Sequence, residues 1–481
     1  MSRAPHLTLA LAAVLALDGC GGSEAPGASQ PPNLILVSID SLRPDHLGCY
    51  GHGRSTSPFI DSLAERGARF ESALSTTSWT LPSHASLFTG LLGPTHGLVD
   101  NGLSLSTDHL TLAELLRDQG YETAGFFGGP YLHPTFGLGQ GFETYRSCMG
   151  TTPDDAGGDS VRSSAMAPDA PSHSDITGPR TRERVREWAE ARSTERPYFL
   201  FVHLWDVHYD FNPPQEYARR FVDPSYDGPA DGRLMTNPAI RPGMAPRDLE
   251  HVKALYDAEI AFTDDVLRGI VEDLEGLGMM DDTVLAVTAD HGEEFLEHGQ
   301  KGHNKSLFDE VLRIPLVVHW EGHVAPGLVI PDQVQLVDLM PTLAAMAGFP
   351  GELPSQGRDL SPLLTGGTLP PRDALSGLFL DGRSLRALRS NRRKVIRPDD
   401  RGPAALVDLV ENPEEDMRRM IYPGAAAGGQ RLQRGTAELE RAVRRADELR
   451  VLLDRRPPDA LELSPAMLEE LRGLGYVGEE Q

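Results

Sequence analysis

The chain has 481 residues, enough for one large α/β domain with a substantial core and a smaller second unit. It carries 45 Lys and Arg against 70 Asp and Glu, which gives a formal net charge of −25. Such an acidic surface repels polyanions, so the composition argues against nucleic acid and anionic membrane as partners. Its 3 cysteines are too few for a disulfide framework, and the sequence leaves open whether Cys49 and Cys148 pair.

The first twenty residues have the pattern of an export signal. Arg3 precedes an apolar run over residues 7–17 that is too short to span a bilayer, and Leu-Asp-Gly-Cys follows at residues 17–20. This tetrapeptide resembles a bacterial lipobox, which predicts a lipid anchor on Cys20 and a place in the cell envelope, periplasmic or at the outer membrane. A plain secretion signal is the alternative. Residues 21–32, rich in Gly, Ser and Pro, are predicted to form a flexible tether.

Strand and helix patterns alternate along the chain, which predicts an α/β fold with a mostly parallel sheet and helices on both faces. Apolar runs predict buried strands over residues 33–40, 122–127, 197–205, 283–289 and 315–320. A helix is predicted to open at Ser57-Pro58 and to stop at Gly67, and another to follow Thr111, where Glu114 completes a capping box. A long amphipathic helix is predicted over residues 248–277.

Two segments interrupt this alternation. Residues 150–178 contain almost no large apolar side chain and are predicted to form a mobile surface insertion, and residues 223–247 to form a long loop on the substrate side. The pattern changes near Gly357 to short strands and a charged helix, over residues 385–388, 394–396, 405–409 and 437–453. We therefore predict a catalytic domain over residues 33–356 and a smaller α+β C-terminal region over residues 357–481.

Acidic residues follow two of the predicted buried strands. Asp40 ends the first strand, and Asp290-His291 follows the strand over residues 283–289. Functional groups gather at the carboxyl ends of parallel strands, so two carboxylates and an imidazole there would form a metal site if they converge. Taken alone, an Asp at a strand end is also a common turn or capping residue.

A further candidate is Thr80, in the segment Thr-Leu-Pro-Ser-His-Ala-Ser-Leu-Phe-Thr-Gly over residues 80–90. Pro82 suits the first turn of a helix, and Gly90 suits its left-handed cap. Thr80 is then predicted just before a helix N-terminus, where free N–H groups and the helix dipole attract an anion. The alternative is that Thr80 only caps the helix.

Eight segments, in this order along the chain, together resemble the sulfatase family of the alkaline phosphatase superfamily. They are residues 39–51, 57–61, 80–90, 202–208, 289–293, 312–318, 337–343 and 471–477. The resemblance implies an alkaline-phosphatase-like fold and a divalent metal ion. The metal ligands that it implies are Asp40, Thr80, Asp290 and His291.

The resemblance also implies the residues that meet the substrate. His84 and His208 would contact the anionic group of the ester, and one of them would act as general acid. His303 and Lys305 lie where the family places anion-binding side chains, and Lys301 competes with Lys305 for that role.

Several positions depart from the family pattern. Family members begin with Cys or Ser in the Thr80 slot and Arg in the His84 slot, and they oxidise the Cys or Ser to formylglycine. A Thr side chain cannot form that aldehyde, so no formylglycine is expected. His291 stands where calcium-dependent members carry an amide, which shifts the expected metal to zinc or manganese, with calcium as the alternative. Ser41 replaces a second carboxylate, and residues 128–130 lack the family's lysine.

The resemblance thus predicts a hydrolase of sulfate esters or phosphoesters that uses Thr80 as a metal-activated nucleophile. The substrate would be a small anionic ester or a sulfated or phosphorylated glycan. Family likeness favours sulfate, whereas a Thr nucleophile favours phosphoesters or phosphonate esters. Two alternatives stay open: a phosphodiesterase or phosphonate monoester hydrolase with a second metal on Asp206, His208 and His303, and a catalytically degenerate surface-binding lipoprotein.

Overall fold

A computed structural model describes residues 30–149, 176–193, 195–380, 382–398, 402–425 and 428–461. The part of the chain from Pro31 onward forms one compact unit. The predicted signal with Cys20, most of the tether, residues 150–175 of the predicted insertion and the closing motif at residues 471–477 lie outside these ranges. Among the described helices, none combines the length and the apolar character needed to cross a bilayer.

A nine-stranded, mostly parallel sheet forms the centre of the described fold. Its strands are β1 Asn33–Ile39, β2 Ala68–Leu74, β3 Glu122–Phe127, β4 Thr144–Ser147, β5 Tyr198–Leu204, β6 Thr283–Ala289, β7 Arg313–Ile314, β8 Leu316–His319 and β9 Leu328–Gln335. They lie in the order β7-β2-β8-β6-β1-β5-β3-β4, and β9 also pairs with β2. The central strand β1 runs parallel to both β5 and β6, whereas β8 is antiparallel to β6 and β2. The predicted α/β class is confirmed.

Helices flank this sheet in two groups. The longer described helices are α1 Pro58–Arg66, α2 Thr80–Thr89, α3 Leu112–Asp118, α4 Gly178–Ala191, α5 Gln215–Phe221, α6 Pro246–Gly276 and α7 Leu339–Met346. In one group α1, α4 and α5 pack against α6, and in the other α2, α3 and α7 contact one another. The predicted capping box is present at α3, where the Thr111 hydroxyl accepts from the Glu114 N–H and the Glu114 carboxylate accepts from the Thr111 N–H.

A second sheet of four antiparallel strands follows the main sheet. Its strands, in spatial as in chain order, are β10 Ala374–Leu380, β11 Arg383–Arg389, β12 Arg393–Pro398 and β13 Ala405–Asp408. The helix α8, Gly429–Leu453, packs against these strands. Each predicted short strand overlaps an observed one, but β10 was not predicted, because Gly377 interrupts its apolar pattern. The Gly377 N–H donates to the Thr76 carbonyl, which ties β10 to the chain just before α2.

The remaining predictions of local structure can be placed as follows. Within residues 223–245, which are all described, the chain forms turns without a helix or strand before α6 begins at Pro246. Cys49 is half-buried and Cys148 is buried, and both thiols are free. Smaller elements include a two-stranded ribbon of Glu294–Phe295 with Lys301–Gly302, which lies between β6 and β7 in the chain.

Candidate functional site

Asp40 and Asp290 are neighbours because the strands that carry them are neighbours. β1 and β6 pair in parallel with Ile39 opposite Ala289, so the next residue of each strand emerges at the same edge of the sheet. Both residues are buried, with 1% and 0% of their surface exposed. The Ser41 N–H donates to Asp290 Oδ1, and the Ser41 hydroxyl donates to Asp40 Oδ1. The structure therefore brings the two predicted carboxylates together in a water-poor environment.

Burial and mutual repulsion set the protonation of these two carboxyl groups. Burial, reinforced by the charge of Asp40, raises the pKa of Asp290 to about 6. Burial alone would also raise the pKa of Asp40, but the positive charge that the surrounding histidines, His208 foremost, take up on protonation outweighs burial and holds that pKa well below its usual range. The pair thus holds more negative charge than its surroundings neutralise, a condition that a bound cation would relieve.

His291 lies directly against these carboxylates. Its Nδ1 is 2.9 Å from the Gly292 carbonyl oxygen, which can only accept, so Nδ1 carries the hydrogen. The other nitrogen, Nε2, is 3.4 Å from Asp290 Oδ2 and 3.3 Å from the Thr80 hydroxyl oxygen. A backbone carbonyl that fixes Nδ1–H and leaves Nε2 toward a carboxylate is the usual arrangement of a metal-binding histidine.

Thr80 completes this group from the start of α2. It is the first residue of the helix, and Trp79 occupies the cap position without a side-chain capping bond. The Thr80 hydroxyl is 3.4 Å from Asp40 Oδ2 as well as 3.3 Å from His291 Nε2. Gly90 ends the helix in the left-handed conformation, at φ 65°, as its sequence position indicated. The alternative in which Thr80 only caps the helix is therefore wrong, since its side chain faces the carboxylates.

The residues present fit a divalent cation. One oxygen or nitrogen from each of Asp40, Asp290 and His291 lies within 4.8 Å of the others. Asp290 Oδ2 is buried and has no hydrogen-bond partner among the described residues. A buried carboxylate oxygen without a partner is costly, and a cation would satisfy it. Two carboxylates and an imidazole form a donor set that suits zinc or manganese.

His84 lies behind Thr80 rather than in front of it. Its Nδ1 donates to the Thr80 carbonyl at 2.9 Å, and its Nε2 accepts from the Ser38 hydroxyl at 3.1 Å. Burial, followed by the nearby His203, lowers the pKa of His84 to about 3, so the ring is neutral. Both ring nitrogens are thus used between α2 and β1, a placement that differs from the expected contact with an ester.

His208 and His303 form the other wall of the site. Their rings are 5.1 Å apart, and the His303 ring is 4.3 Å from that of His291. His208 Nδ1 donates to the Tyr209 carbonyl, and burial lowers its pKa to about 4. His303 Nδ1 is 3.3 Å from a carboxylate oxygen of Glu293, a buried residue whose pKa burial and Asp40 raise well above its usual range.

The two competing lysines differ in their surroundings. The Lys301 ammonium donates to the carbonyls of Asn237 and Ile240, and burial lowers its pKa. The Lys305 ammonium donates to the Lys301 carbonyl. Burial raises the pKa of Glu293 and lowers that of His303, and the charge of Lys305 offsets part of the first shift and adds to the second. Lys305 is therefore the lysine whose charge acts on the site.

The predicted second metal set does not converge in this structure. The Asp206 carboxylate accepts from the N–H and the hydroxyl of Thr177, just before α4. In the described part of the chain, the groups of metal-ligating residues with all ligand atoms within 4.8 Å do not include Asp206, His208 and His303. Two further residues at the site are buried, His203 and Glu293. They lie within the family-like segments 202–208 and 289–293, but the sequence did not predict a role for either.

Comparisons with known proteins identify the family and the fold. A sequence model of the family described as Sulfatase matches residues 32–349. Arylsulfatase A of Homo sapiens is 31% identical over 422 residues, which cover 78% of this chain and 74% of that protein. The phosphonate monoester hydrolase of Agrobacterium radiobacter has a TM-score of 0.67 and 24% identity, covering 88% of this chain and 96% of its own. A protein solved with its substrate D-glucosamine-2-N,6-O-disulfate has a TM-score of 0.70 and 18% identity, covering 87% and 99% respectively.

Proposed function

The chain belongs to the sulfatase family of ester hydrolases, and on that premise we propose a metal-dependent hydrolase of sulfate or phosphorus esters whose nucleophile is Thr80. One observation carries the proposal: the Thr80 hydroxyl oxygen is 3.3 Å from His291 Nε2 and 3.4 Å from Asp40 Oδ2. It also lies at the first residue of α2, where the helix N-terminus favours an anion. An oxygen nucleophile, a cation site and an anion-binding helix end thus coincide.

Asp40, Asp290 and His291 would hold the metal ion. When bound, the ion supplies positive charge that lowers the pKa of the Thr80 hydroxyl and offsets the charge of the ester. We favour zinc or manganese over calcium because one donor is an imidazole.

The reaction requires two displacements. Thr80 Oγ1 bonds to sulfur or phosphorus, the bond to the alcohol oxygen breaks, and the alcohol leaves with the proton that Thr80 gave up. Water then attacks the threonine ester, which releases the sulfate, phosphate or phosphonate anion and restores the hydroxyl. We assign the proton transfers to His208, with His303 and Lys305 binding the anionic oxygens. Burial keeps His208 neutral at neutral pH, so it can accept a proton before it returns one.

We assign a positioning role to His84. Its Nδ1–H binds the Thr80 carbonyl, and its Nε2 binds Ser38 on β1, the strand that ends at Asp40. One imidazole therefore links the nucleophile's backbone to the metal-bearing strand. Changes at His84 should alter the geometry of Thr80 rather than remove a proton donor.

Esters of phosphorus are a second candidate, favoured by the Thr side chain itself. A sulfated threonine lacks the geminal diol through which formylglycine expels sulfate, so its release depends on attack by water. Solved structures of this fold include both a phosphonate monoester hydrolase and a protein that acts on a sulfated glucosamine. A small anionic monoester, free or on a glycan, is the substrate class that we propose.

A substrate panel tests this proposal. Aryl sulfate, phosphomonoester, phosphodiester and phosphonate monoester substrates would each be assayed with zinc, manganese and calcium. We expect hydrolysis of at least one monoester, and we expect Thr80→Ala to lower kcat by about 10³-fold or more.

Thr89→Ala is the matched control, because Thr89 lies in the same buried helix and its hydroxyl bonds, within the described structure, to the backbone of Ala85 and Leu91 alone. It should retain activity. Activity that survives Thr80→Ala would exclude Thr80 as the nucleophile, and inactivity on every substrate with every metal would favour the degenerate binding protein.

We also propose that the chain is exported and lipid-anchored at Cys20, on the strength of the tetrapeptide at residues 17–20. Expression in bacteria with a radiolabelled fatty acid should label the wild type and not Cys20→Ser. An unlabelled but secreted wild type would instead support the plain secretion signal.

A further inference from the structure

A fourth side chain, His203, reaches the two carboxylates from the other neighbour of β1. In the pairing of β1 with β5, His203 lies opposite Ser38, two residues before Asp40. The ring is fully buried, and its Nε2 lies 3.5 Å from Asp40 Oδ2. That nitrogen has no hydrogen-bond partner among the described residues.

The hydrogen-bond geometry fixes the tautomer of a neutral His203. Its Nδ1 is 2.8 Å from the Gly128 carbonyl oxygen, and a carbonyl can only accept, so Nδ1 carries the hydrogen. In the neutral ring the lone pair of Nε2 then faces the carboxylate oxygen of Asp40. Two acceptors facing each other without a hydrogen between them repel, and the contact is buried away from water.

His291 repeats this arrangement on the opposite side. Its Nδ1 is bound to the Gly292 carbonyl, and its Nε2 faces Asp290 Oδ2, the carboxylate oxygen that has no hydrogen-bond partner in the described structure. Two histidines thus have the same tautomer, and each directs a lone pair at a buried carboxylate. A cation is the species that satisfies lone pairs on both sides of such a contact.

The separations are those of ligands around one ion. Adjacent pairs among Asp40 Oδ2, Thr80 Oγ1, His291 Nε2, Asp290 Oδ2 and His203 Nε2 are 3.3 to 3.5 Å apart. Ligands at about 2.0–2.1 Å from a tetrahedral ion are separated by roughly 3.3 Å. These separations are too long for strong hydrogen bonds and match the edges of a coordination shell.

We propose that His203 is a metal ligand and binds, through Nε2, the same ion as Asp40, Asp290 and His291. This inference rests on the proposed function, since it requires a metal at that site. Two imidazoles and two carboxylates suit zinc or manganese and disfavour calcium, which prefers oxygen ligands. The Gly128 carbonyl orients the His203 ring, as outer partners of metal-bound histidines do.

His84 provides a matched control. Its ring is 4.9 Å from that of His203 and is equally buried, but both of its nitrogens already have hydrogen-bond partners in Thr80 and Ser38. It is therefore a neighbouring histidine that should not bind the ion.

Proton NMR of the cobalt(II)-loaded full chain in water counts the bound imidazoles. Each histidine bound through Nε2 should show one exchangeable, strongly shifted Nδ1–H resonance. We expect two such resonances in the wild type, one in His203→Asn and two in His84→Gln. Competition with a zinc chelator should show zinc affinity reduced by about 10- to 100-fold or more in His203→Asn.

The wild-type spectrum tests whether His203 binds the ion even if a variant fails to fold. One shifted resonance in cobalt-loaded wild type, or an unchanged count in folded His203→Asn, would overturn the inference and leave the proposed function intact. It would mean that His203 is doubly protonated and pairs with Asp40 directly. Failure of the wild type to bind cobalt, zinc or manganese would overturn this inference together with the proposed function.

Discussion

Two clusters of buried ionisable side chains differ in how their charges are balanced. Where the second sheet meets the main one, Lys394 Nζ is 3.0 Å from an oxygen of both Asp309 and Glu415. Arg389 adds a 2.8 Å contact to Asp309, so this junction cluster has two cations for two anions. At the candidate site, Asp40 and Asp290 are more completely buried than Asp309, but their ionisable partners in the described structure are histidines rather than Lys or Arg.

In each cluster one carboxyl pKa is lowered and the other is raised, to about 7 for Glu415 and about 6 for Asp290, so the clusters differ in the cause of the shifts rather than in their direction. Burial acts to raise the pKa of Asp309, but Lys394 and Arg389 outweigh it and hold that pKa well below its usual range. At the site, burial and Asp40 together raise the pKa of Asp290 to about 6. The comparison shows that burial of charge alone does not mark a functional site. The informative feature is a buried anion for which the described part of the chain supplies no Lys or Arg partner.

The largest effect on stability is expected at the junction cluster. Lys394→Met should lower the free energy of unfolding by about 3–5 kcal/mol, because it leaves the buried Glu415 and the largely buried Asp309 with one cation fewer. Urea unfolding of the two proteins measures the difference.

Arg397→Met serves as the surface counterpart, because Arg397 pairs with Glu440 across a half-exposed contact of 2.8 Å. Its loss should cost about 0–1 kcal/mol. Equal costs for the two variants would remove the distinction between balanced buried charge and surface charge.

Much of the fold could be predicted from local pattern. β3 and β6 have the predicted bounds, and α1 and α3 begin after the predicted capping residues. These elements are determined by signals within a few residues: a continuous apolar run, a proline in the first turn or a capping box. β10 was missed because its pairing with β11 compensates for a glycine that weakens the strand pattern locally.

The site was predictable only where a residue sits in a recognisable motif. Asp40, Thr80, Asp290 and His291 were identified in this way, and the structure brings them together. His203 looked like one polar residue in an apolar strand, because its approach to Asp40 depends on β5 being the neighbour of β1. His84 was assigned to the ester because its sequence slot said nothing about Ser38, which lies 46 residues earlier and binds its Nε2. Strand order is a non-local property that neither spacing nor composition reveals.

The effect of Asp290→Asn on the free energy of unfolding should change sign between metal-free and metal-bound protein, which would identify the candidate site as the cluster that needs a cation. In metal-free protein, Asp290→Asn should raise the free energy of unfolding by about 1–3 kcal/mol, because it removes one of two repelling buried charges. In zinc- or manganese-saturated protein, Asp290→Asn should lower the free energy of unfolding by a similar amount, because a metal ligand is lost. The scale follows from linkage, since metal at about 100 times Kd stabilises the folded state by about 2.7 kcal/mol.

Thermal unfolding with chelator and with excess metal measures both states of both proteins. A variant less stable than the wild type under both conditions would mean that Asp290 is balanced within the chain, as Asp309 is. A variant that gains stability under both would exclude a metal contact at Asp290.

The smallest expected effect is a difference between Asp290 and Asp309 in how their contributions to stability depend on pH. The folded-state pKa of Asp290 is raised from 3.8 to about 6, so its contribution to metal-free stability is intact below about pH 4 and is lost as the pH rises through 6. The stability gain from Asp290→Asn should therefore grow over that interval, by at most about 1.4 kcal/mol per pH unit.

The pKa of Asp309 is lowered instead, so the cost of Asp309→Asn should be full above pH 4 and shrink at lower pH. Urea unfolding of both variants against wild type from pH 3.5 to 7 measures the two slopes, with chelator present. Parallel slopes would contradict the two assignments, because the raised pKa of Asp290 and the lowered pKa of Asp309 require slopes of opposite sign.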